Sequence, residues 1–354
     1  MKELYQNEFE ELVSHPDILI LVTRDLSGHR IEWLVEINSM IGITGQSVLV
    51  ICEDATRLKN EMSLSLSSTF YYETKDVLKF VKSFFGTKSI KKLVFWDADD
   101  KLFELFSSKL NARILIMRPY ITEFRIKSFL AYLGKFLFLV HFKYIKKWEI
   151  GLLSIPRSNP FFLKKNWVDD KLILTEKSPN GVKNSNLQEN IRITMPGYIS
   201  ERKNPLVAIS ACSILRERYG IPIQLNFSGK IEPKVNSAIK SLDLAWVQIN
   251  DLYMPRAKYI ESLLDSDLVL LPYANRGSSG VVLESLALGL PVAIYRNRHW
   301  QNLSRYTHGQ LLLMRKGEKG ISQCILNSLA RDSDCRVFEG LTTRKSAIDF
   351  LVSG

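Results

Sequence analysis

A chain of 354 residues is too long for one ordinary hydrophobic core and fits two domains of roughly 150 residues each. With 46% hydrophobic and 24% charged residues, and only 18 Gly and 12 Pro, collagenous and wholly disordered classes are excluded. The net charge of +11 and pI near 9.3 require an anionic partner, a condition that nucleic acid, anionic lipid and nucleotide substrates all meet.

The N-terminal MKELYQNEFEELV is acidic and amphipathic, unlike a signal peptide, which points to a cytoplasmic protein. Cys52, Cys212, Cys324 and Cys335 show no CxxC spacing and read as free thiols of a reducing compartment, not as a metal site. Residues Asp17 to Thr23 (DILILVT) form a short apolar strand. The polar loop Arg24 to Arg30 and the helical pattern IEWLVEINSMI follow. Val48 to Cys52 is a second strand, Val77 to Phe85 a helix and Lys92 to Trp96 a third strand, an alternation that implies a parallel sheet covered by helices. Asp97, Asp99 and Asp100 come next. Paired carboxylates of this kind clamp a metal diphosphate, but acids closing a strand and opening a helix explain them more simply.

From Arg113 to Lys147 eight basic residues face the single acid Glu123, a local excess of seven; Phe, Tyr and aliphatic residues lie between them, and Trp148 follows directly. The apolar run is broken by Lys135 and is shorter than the ~20 residues of a spanning helix. Two readings stand: an amphipathic segment on an anionic membrane surface, or a core helix in which Phe136 to Val140 turns into a strand. Nucleic acid is set aside, because the aromatics are embedded in aliphatic sequence.

The polar, turn-rich stretch from Asn166 to Asn190 marks a domain boundary, placed between residues 175 and 176. Beyond it come a strand, Ile191 to Met195, the turn Pro196 to Pro205 and a helix, Leu206 to Tyr219. Arg202 and Lys203 stand just ahead of that helix, either as a phosphate site or as a solvated basic pair. Ile223 to Phe227, Trp246 to Ile249 and Leu268 to Leu271 are further strands, with a helix at Arg256 to Leu264. The turn Asn275 to Gly280 then opens the helix Val281 to Leu288, which Gly289-Leu290-Pro291 ends. Leu311 to Met314 is a last strand, Gly320 to Ala330 a helix, and residues 338–354 a final helix able to pack back on the first domain, with 176–337 as the second.

Two doubly wound, Rossmann-like parallel-sheet halves, a basic turn opening the second, and a GSSGVVLE turn and helix near its end resemble the glycosyltransferases of GT-B architecture. The likeness is nearest to family 4, the retaining enzymes of polysaccharide and glycolipid assembly, and residues 191–300 carry most of it. The resemblance implies two domains facing a cleft, with a nucleotide-sugar donor on the second and a saccharide or lipid-linked acceptor. It implies no cofactor and no metal. Glu284 would bind the ribose hydroxyls, since a carboxylate accepts two hydrogen bonds from a vicinal diol, and its apolar neighbours leave the helix little polar face. Gly277, Ser278, Ser279, Gly280 and Val281 would cradle the diphosphate together with Gly197, and Lys203, assisted by Arg202, would steady the leaving group. Ser27, Gly28, His29 and Arg30 would face the donor from the first domain, with His29 as a candidate acid or base. Two positions depart from the pattern: Arg276 replaces the first of the family's two glutamates, and Tyr198 aligns with a second phosphate-binding arginine. A nucleotide-sugar 2-epimerase and a catalytically weak binding subunit are the alternatives.

Overall fold

The computed structural model describes residues 2–15, 17–24, 34, 37, 46–55, 69–86, 93–96, 98, 102–116, 126–153, 167–168, 190–273, 279–329 and 351–352. They form two compact units: the described residues between 2 and 168, with 279–280 and 351–352, make the first, and 190–273 and 281–329 the second.

The first unit is built on strands β1 (Lys2–Glu3), β2 (Ile18–Val22), β3 (Ser47–Cys52), β4 (Thr69–Glu73), β5 (Leu93–Trp96), β6 (Arg113–Ile116), β7 (Ile150–Leu153) and β8 (Trp167–Val168). All pair in parallel in the order β1-β4-β3-β2-β5-β6-β7-β8. Every residue of β2 is buried, as a strand covered on both faces requires, which is why its sequence is a continuous apolar run without alternation. Helices α1 (Gln6–Val13) and α2 (Val77–Phe85) supply the cover. Phe9 and Val13, one turn apart, face inward from α1, and Val77, Leu78, Val81 and Phe85 do so from α2. Asp76 caps α2 by accepting from the Lys79 amide at 3.0 Å. The Phe9 ring lies 4.6 Å from Tyr72 and 5.0 Å from Phe84, which joins both helices to β4.

After α3 (Leu102–Phe106) comes α4 (Ile126–Val140), which runs on into a π-helical turn, His141–Ile145. The strand expected at Phe136 to Val140 is therefore the end of a helix. Leu139 and Phe142 face the core while Leu137 faces out, a helical and not a two-residue period. The strand positions are filled by β6 and β7, whose four-residue lengths gave little signal. Arg113 hides the first of these: it is buried, and its Nη2 donates to the Leu351 carbonyl at 3.1 Å. Burial holds its pKa below the usual arginine value, against the pull of Glu149. Lys146 is also bound internally, donating to the carbonyls of Leu105 and Ser108 where α3 ends. Two of the eight basic residues in that stretch thus serve the fold. Asp97, Asp99 and Asp100 lie outside the described residues.

The second unit has strands β9 (Ile191–Pro196), β10 (Ile223–Ser228), β11 (Val247–Asn250), β12 (Leu268–Leu271), β13 (Val292–Tyr295) and β14 (Leu311–Met314), all parallel in the order β11-β10-β9-β12-β13-β14. Helix α5 (Pro205–Tyr219) starts with a proline whose fixed φ suits the first turn and stops at Gly220, whose φ of 64° only glycine adopts cheaply. Its Ala208, Ala211, Cys212 and Leu215 face the core, and burial pushes the Cys212 thiol up to about 12. Helices α6 (Pro233–Lys240), α7 (Arg256–Leu264), α8 (Gly280–Ala287), α9 (Arg298–Ser304) and α10 (Glu318–Leu329) complete the cover, and Ser322 of α10 donates to the Ala211 carbonyl at 3.0 Å.

In each sheet the strand order reverses once, between β2 and β5 in the first and between β9 and β12 in the second. At such a reversal the loops leaving two neighbouring strands diverge, and the space at their carboxyl ends is where open α/β sheets take ligands. In the second unit the ends of β9 and β10 approach too closely for side chains. A Cβ on Gly229, which has φ +134°, would lie 2.6 Å from the Gly197 carbonyl oxygen. Gly229→Ala should therefore cost at least about 2 kcal/mol of stability, read as a lowered chemical-denaturation midpoint of the second unit. A wild-type midpoint would show that this approach is not fixed.

Candidate functional site

The chain leaves β9 at Pro196 and turns at Gly197, whose φ is 79° and whose amide donates to the Ser228 carbonyl at 2.8 Å. Ile199 then pairs with Ile231, and a 3-10 turn, Glu201–Lys203, leads into α5. Asn204 takes the left-handed conformation, φ 49°, and its Nδ2 donates to the Pro272 carbonyl at 2.6 Å. That bond ties the turn after β9 to the end of β12, across the point where the strand order reverses.

Lys203 is only 8% exposed. Its Nζ donates to the Pro196 carbonyl at 2.8 Å and stands 5.6 Å from the centre of the Tyr273 ring. A Cβ on Gly197 would come to 3.4 Å from this Nζ and to 3.9 Å from Val281 Cγ2, so Gly197, Lys203 and Val281 share one small space. Burial, followed by repulsion from Arg202, pushes the Lys203 pKa down to about 8. Among the described residues no carboxylate forms an ion pair with it. An ammonium taken out of water with one carbonyl, one aromatic face and no counter-ion is under-compensated, and an anion beside it supplies what is lacking. Arg202 is exposed, as is its neighbour Glu201, which pairs with Lys234 at 2.8 Å.

Ser279 is buried and stands immediately ahead of Gly280, the first residue of α8. Val281 is half-buried. One turn further on, Glu284 is 5% exposed, and its Oε2 accepts from the Tyr259 hydroxyl of α7 at 3.2 Å. Val282 and Leu286 turn the helix toward the core, and Ser285 is satisfied by donating to the Val281 carbonyl at 2.7 Å. A buried carboxylate at this level of α8 is an acceptor for hydroxyl donors. Beyond β13, Asn297 caps α9 through the Trp300 amide at 2.9 Å, and burial lowers the His299 pKa to about 4, so this imidazole is neutral at pH 7.

The structure thus brings Gly197, Lys203 and Val281 together and places Glu284 one turn along the same helix as Val281. Ser27, Gly28, His29, Arg30, Arg276, Gly277 and Ser278 lie outside the described residues. Sequence reasoning missed Tyr273, Tyr259 and Asn204. An Asn-Pro pair before a helix signals a cap, but neither tyrosine carries a local signal, since each meets its partner through the fold.

A buried cation and a buried acid thus stand on the loops and helices beside the strand reversal of a doubly wound parallel sheet, the position at which open α/β sheets take ligands. No family model matches the chain, and no curated protein matches it in sequence. Among solved structures it is similar to a glycosyltransferase from Rickettsia africae ESF-5, with 13% identity, TM-score 0.58, and 95% of this chain and 93% of that one covered. It is similar to Anabaena HepE, solved with UDP and glucose, with 10% identity, TM-score 0.58 and coverage of 91% and 92%. It is also similar to a putative UDP-N-acetylglucosamine 2-epimerase from Listeria monocytogenes, with 11% identity, TM-score 0.51 and coverage of 96% and 94%. At these identities the likeness establishes the fold, which is that of the GT-B glycosyltransferases.

The Lys203 shift has a stability consequence. Its folded pKa of about 8 lies below the value of 10.5 for a free lysine, so the unfolded chain binds the extra proton between those two pH values. Stability contributed by this group rises with pH through that window, and the penalty for the buried charge is complete below about pH 8. Lys203→Met should therefore be more stable than wild type at pH 7 by about 3 kcal/mol, with the gap closing between pH 8 and 10.5. Denaturant titrations across that range check it, and a gap independent of pH contradicts it.

Proposed function

We propose that this protein is a glycosyltransferase that takes a nucleoside diphosphate sugar on its second unit and passes the sugar to a saccharide or lipid-linked saccharide acceptor. The reading follows family 4 and its retention of anomeric configuration, in the assembly of polysaccharide or glycolipid. The observation that carries it is the buried Lys203 ammonium, which no carboxylate among the described residues pairs with, beside the side-chain-free face of Gly197 at the strand reversal.

As the bond between sugar and diphosphate breaks, negative charge accumulates on the departing phosphate oxygens. A cation already desolvated stabilises that charge more than one in water, and it needs no reorganisation when the bond breaks. Lys203 takes this role, Arg202 assists from the exposed side, and the first amides of α8 near Ser279 and Gly280 donate to phosphate oxygens. Gly197 permits close backbone approach, and Val281 limits the space on the opposite side. Glu284 accepts from the ribose diol, with Tyr259 fixing one carboxylate oxygen. In this scheme His29 with Ser27, Gly28 and Arg30 handles the acceptor side, and Arg276 with Gly277 and Ser278 completes the diphosphate loop. The 2-epimerase reading is the second, supported by the Listeria likeness in fold.

Lys203→Ala should lower kcat/KM for nucleotide release from the true donor by at least about 100-fold. Glu284→Ala should act mainly by raising the donor KM, by about tenfold or more. The assay is nucleotide release from a panel of sugar donors, with and without acceptor. Full turnover in both variants overturns the site, and an isomerised nucleotide-sugar formed without acceptor favours the epimerase.

A further inference from the structure

The last strand of the second sheet has an outer edge with no neighbouring strand among the described residues. β14 ends the strand order and pairs in parallel with β13. The Val292 amide donates to the Gln310 carbonyl and the Arg296 amide to the Met314 carbonyl, each at 2.9 Å, which fixes the phase of that ladder. Leu312 and Met314 therefore turn their backbone groups to β13, while Leu311 and Leu313 turn theirs outward. The Leu311 amide is satisfied by Thr307 Oγ1 at 3.3 Å. The Leu311 carbonyl and both backbone groups of Leu313 have no such partner among the described residues. An edge of this kind is a template for a further extended chain, and sheets commonly blunt it with proline or with charges on the strand. β14, with the sequence LLLM, carries neither.

There is space for such a chain. A groove of about 810 Å³ opens beside the edge, lined by Leu311 and Leu313 of the strand and by Lys319, Gln323 and Asn327, which follow one another at four-residue steps along α10. Its mouth is basic: Arg315, Lys316 and Lys319 are exposed there, against the single acid Glu318. We infer that this edge accepts an extended acidic segment of a partner protein, which adds a strand beside β14 and sets its carboxylates among those cations. The unpaired backbone groups and the charge select this occupant together. A partner offering only phosphates would leave the Leu311 and Leu313 carbonyls without donors. A second copy would bring two basic mouths together in a chain of net charge +11. β14 stands beyond β13 and β12 from the strand reversal, so this inference is separate from the donor site and either can fail without the other.

Fluorescence anisotropy of labelled peptides with the full-length protein tests it. The probes are a short peptide of alternating glutamate and valine, its counterpart of alternating lysine and valine, and the acidic peptide methylated on its backbone nitrogens. The acidic peptide should bind at least about tenfold more tightly than the basic one at low ionic strength, and the margin should shrink as salt rises. Backbone methylation should cost at least about tenfold, because it removes the donors that reach the outward carbonyls. Leu313→Pro removes an amide that faces away from β13, so the ladder keeps its bonds while the acidic peptide should bind about tenfold more weakly. The pair Lys316→Glu with Lys319→Glu should abolish the preference for the acidic peptide. Wild-type thermal melting shows that the variants fold, and if Leu313→Pro melts early the methylated peptide decides. Equal binding of acidic and basic peptides, no binding of either, or undiminished binding of the methylated peptide overturns the inference. So does self-association that Leu313→Pro abolishes, which would assign the edge to a second copy.

Discussion

The ammonium of Lys203, held out of water without a carboxylate among the described residues, constrains the carboxyl edge of the second sheet. Desolvating a lysine is costly, and among the described residues only the Pro196 carbonyl and the Tyr273 ring offset it. A lysine placed merely for stability would be paired or solvated. Keeping it buried requires the surrounding backbone to come close. That is achieved by Gly197 and Gly229 lying against each other, by a left-handed Asn204, and by the Asn204 bond to Pro272. Gly197 and Asn204, both at positive φ, lie in the turn that leaves β9 where the strand order reverses, as in a site that holds its geometry ready for a ligand.

The rest of the second unit makes that geometry rigid. Three parallel strands lie to one side of the reversal and three to the other, counting β9 and β12 as its two flanks. The helices pack on apolar strand faces, so the loops at the carboxyl ends inherit fixed starting points. Asp251 shows the same economy of support. It accepts from the Ile231 amide at 2.8 Å and from Asn236 Nδ2 at 2.6 Å, which holds the loop after β10 to the end of β11. Glu284 belongs to this frame too: α8 buries it, and a tyrosine from α7 fixes one of its oxygens.

Much of this was legible in the sequence because burial on both faces writes itself as an apolar run. β2, β3, β12 and β13 show it plainly, and GSSGVVLE shows a helix whose one acid has apolar neighbours. The reading failed where local composition and tertiary role diverge. Arg113 opens a buried strand because its guanidinium reaches the Leu351 carbonyl 238 residues away, which no local pattern encodes. Phe136 to Val140 looked like a strand because both sides of that helix are apolar, one for the core and one outward. Tyr259 and Tyr273 were invisible for the related reason that each is defined by its partner and not by its own neighbours. The alignment of Lys203 with Gly197 was foreseen only by resemblance, and the depression of its pKa needed the burial itself to be seen.

If Lys203 is the counter-cation of a diphosphate, binding must return the proton that burial weakens. Calorimetric titration of the full-length protein with a nucleoside diphosphate at pH 8.5, in two buffers of different ionisation enthalpy, measures this directly. With a free pKa of about 8, roughly three quarters of the lysines are neutral at that pH, so binding should take up as much as about 0.75 proton per site. The Lys203→Met variant should show no such uptake. Equal binding heats in both buffers, or the same proton uptake in the variant, would contradict the account.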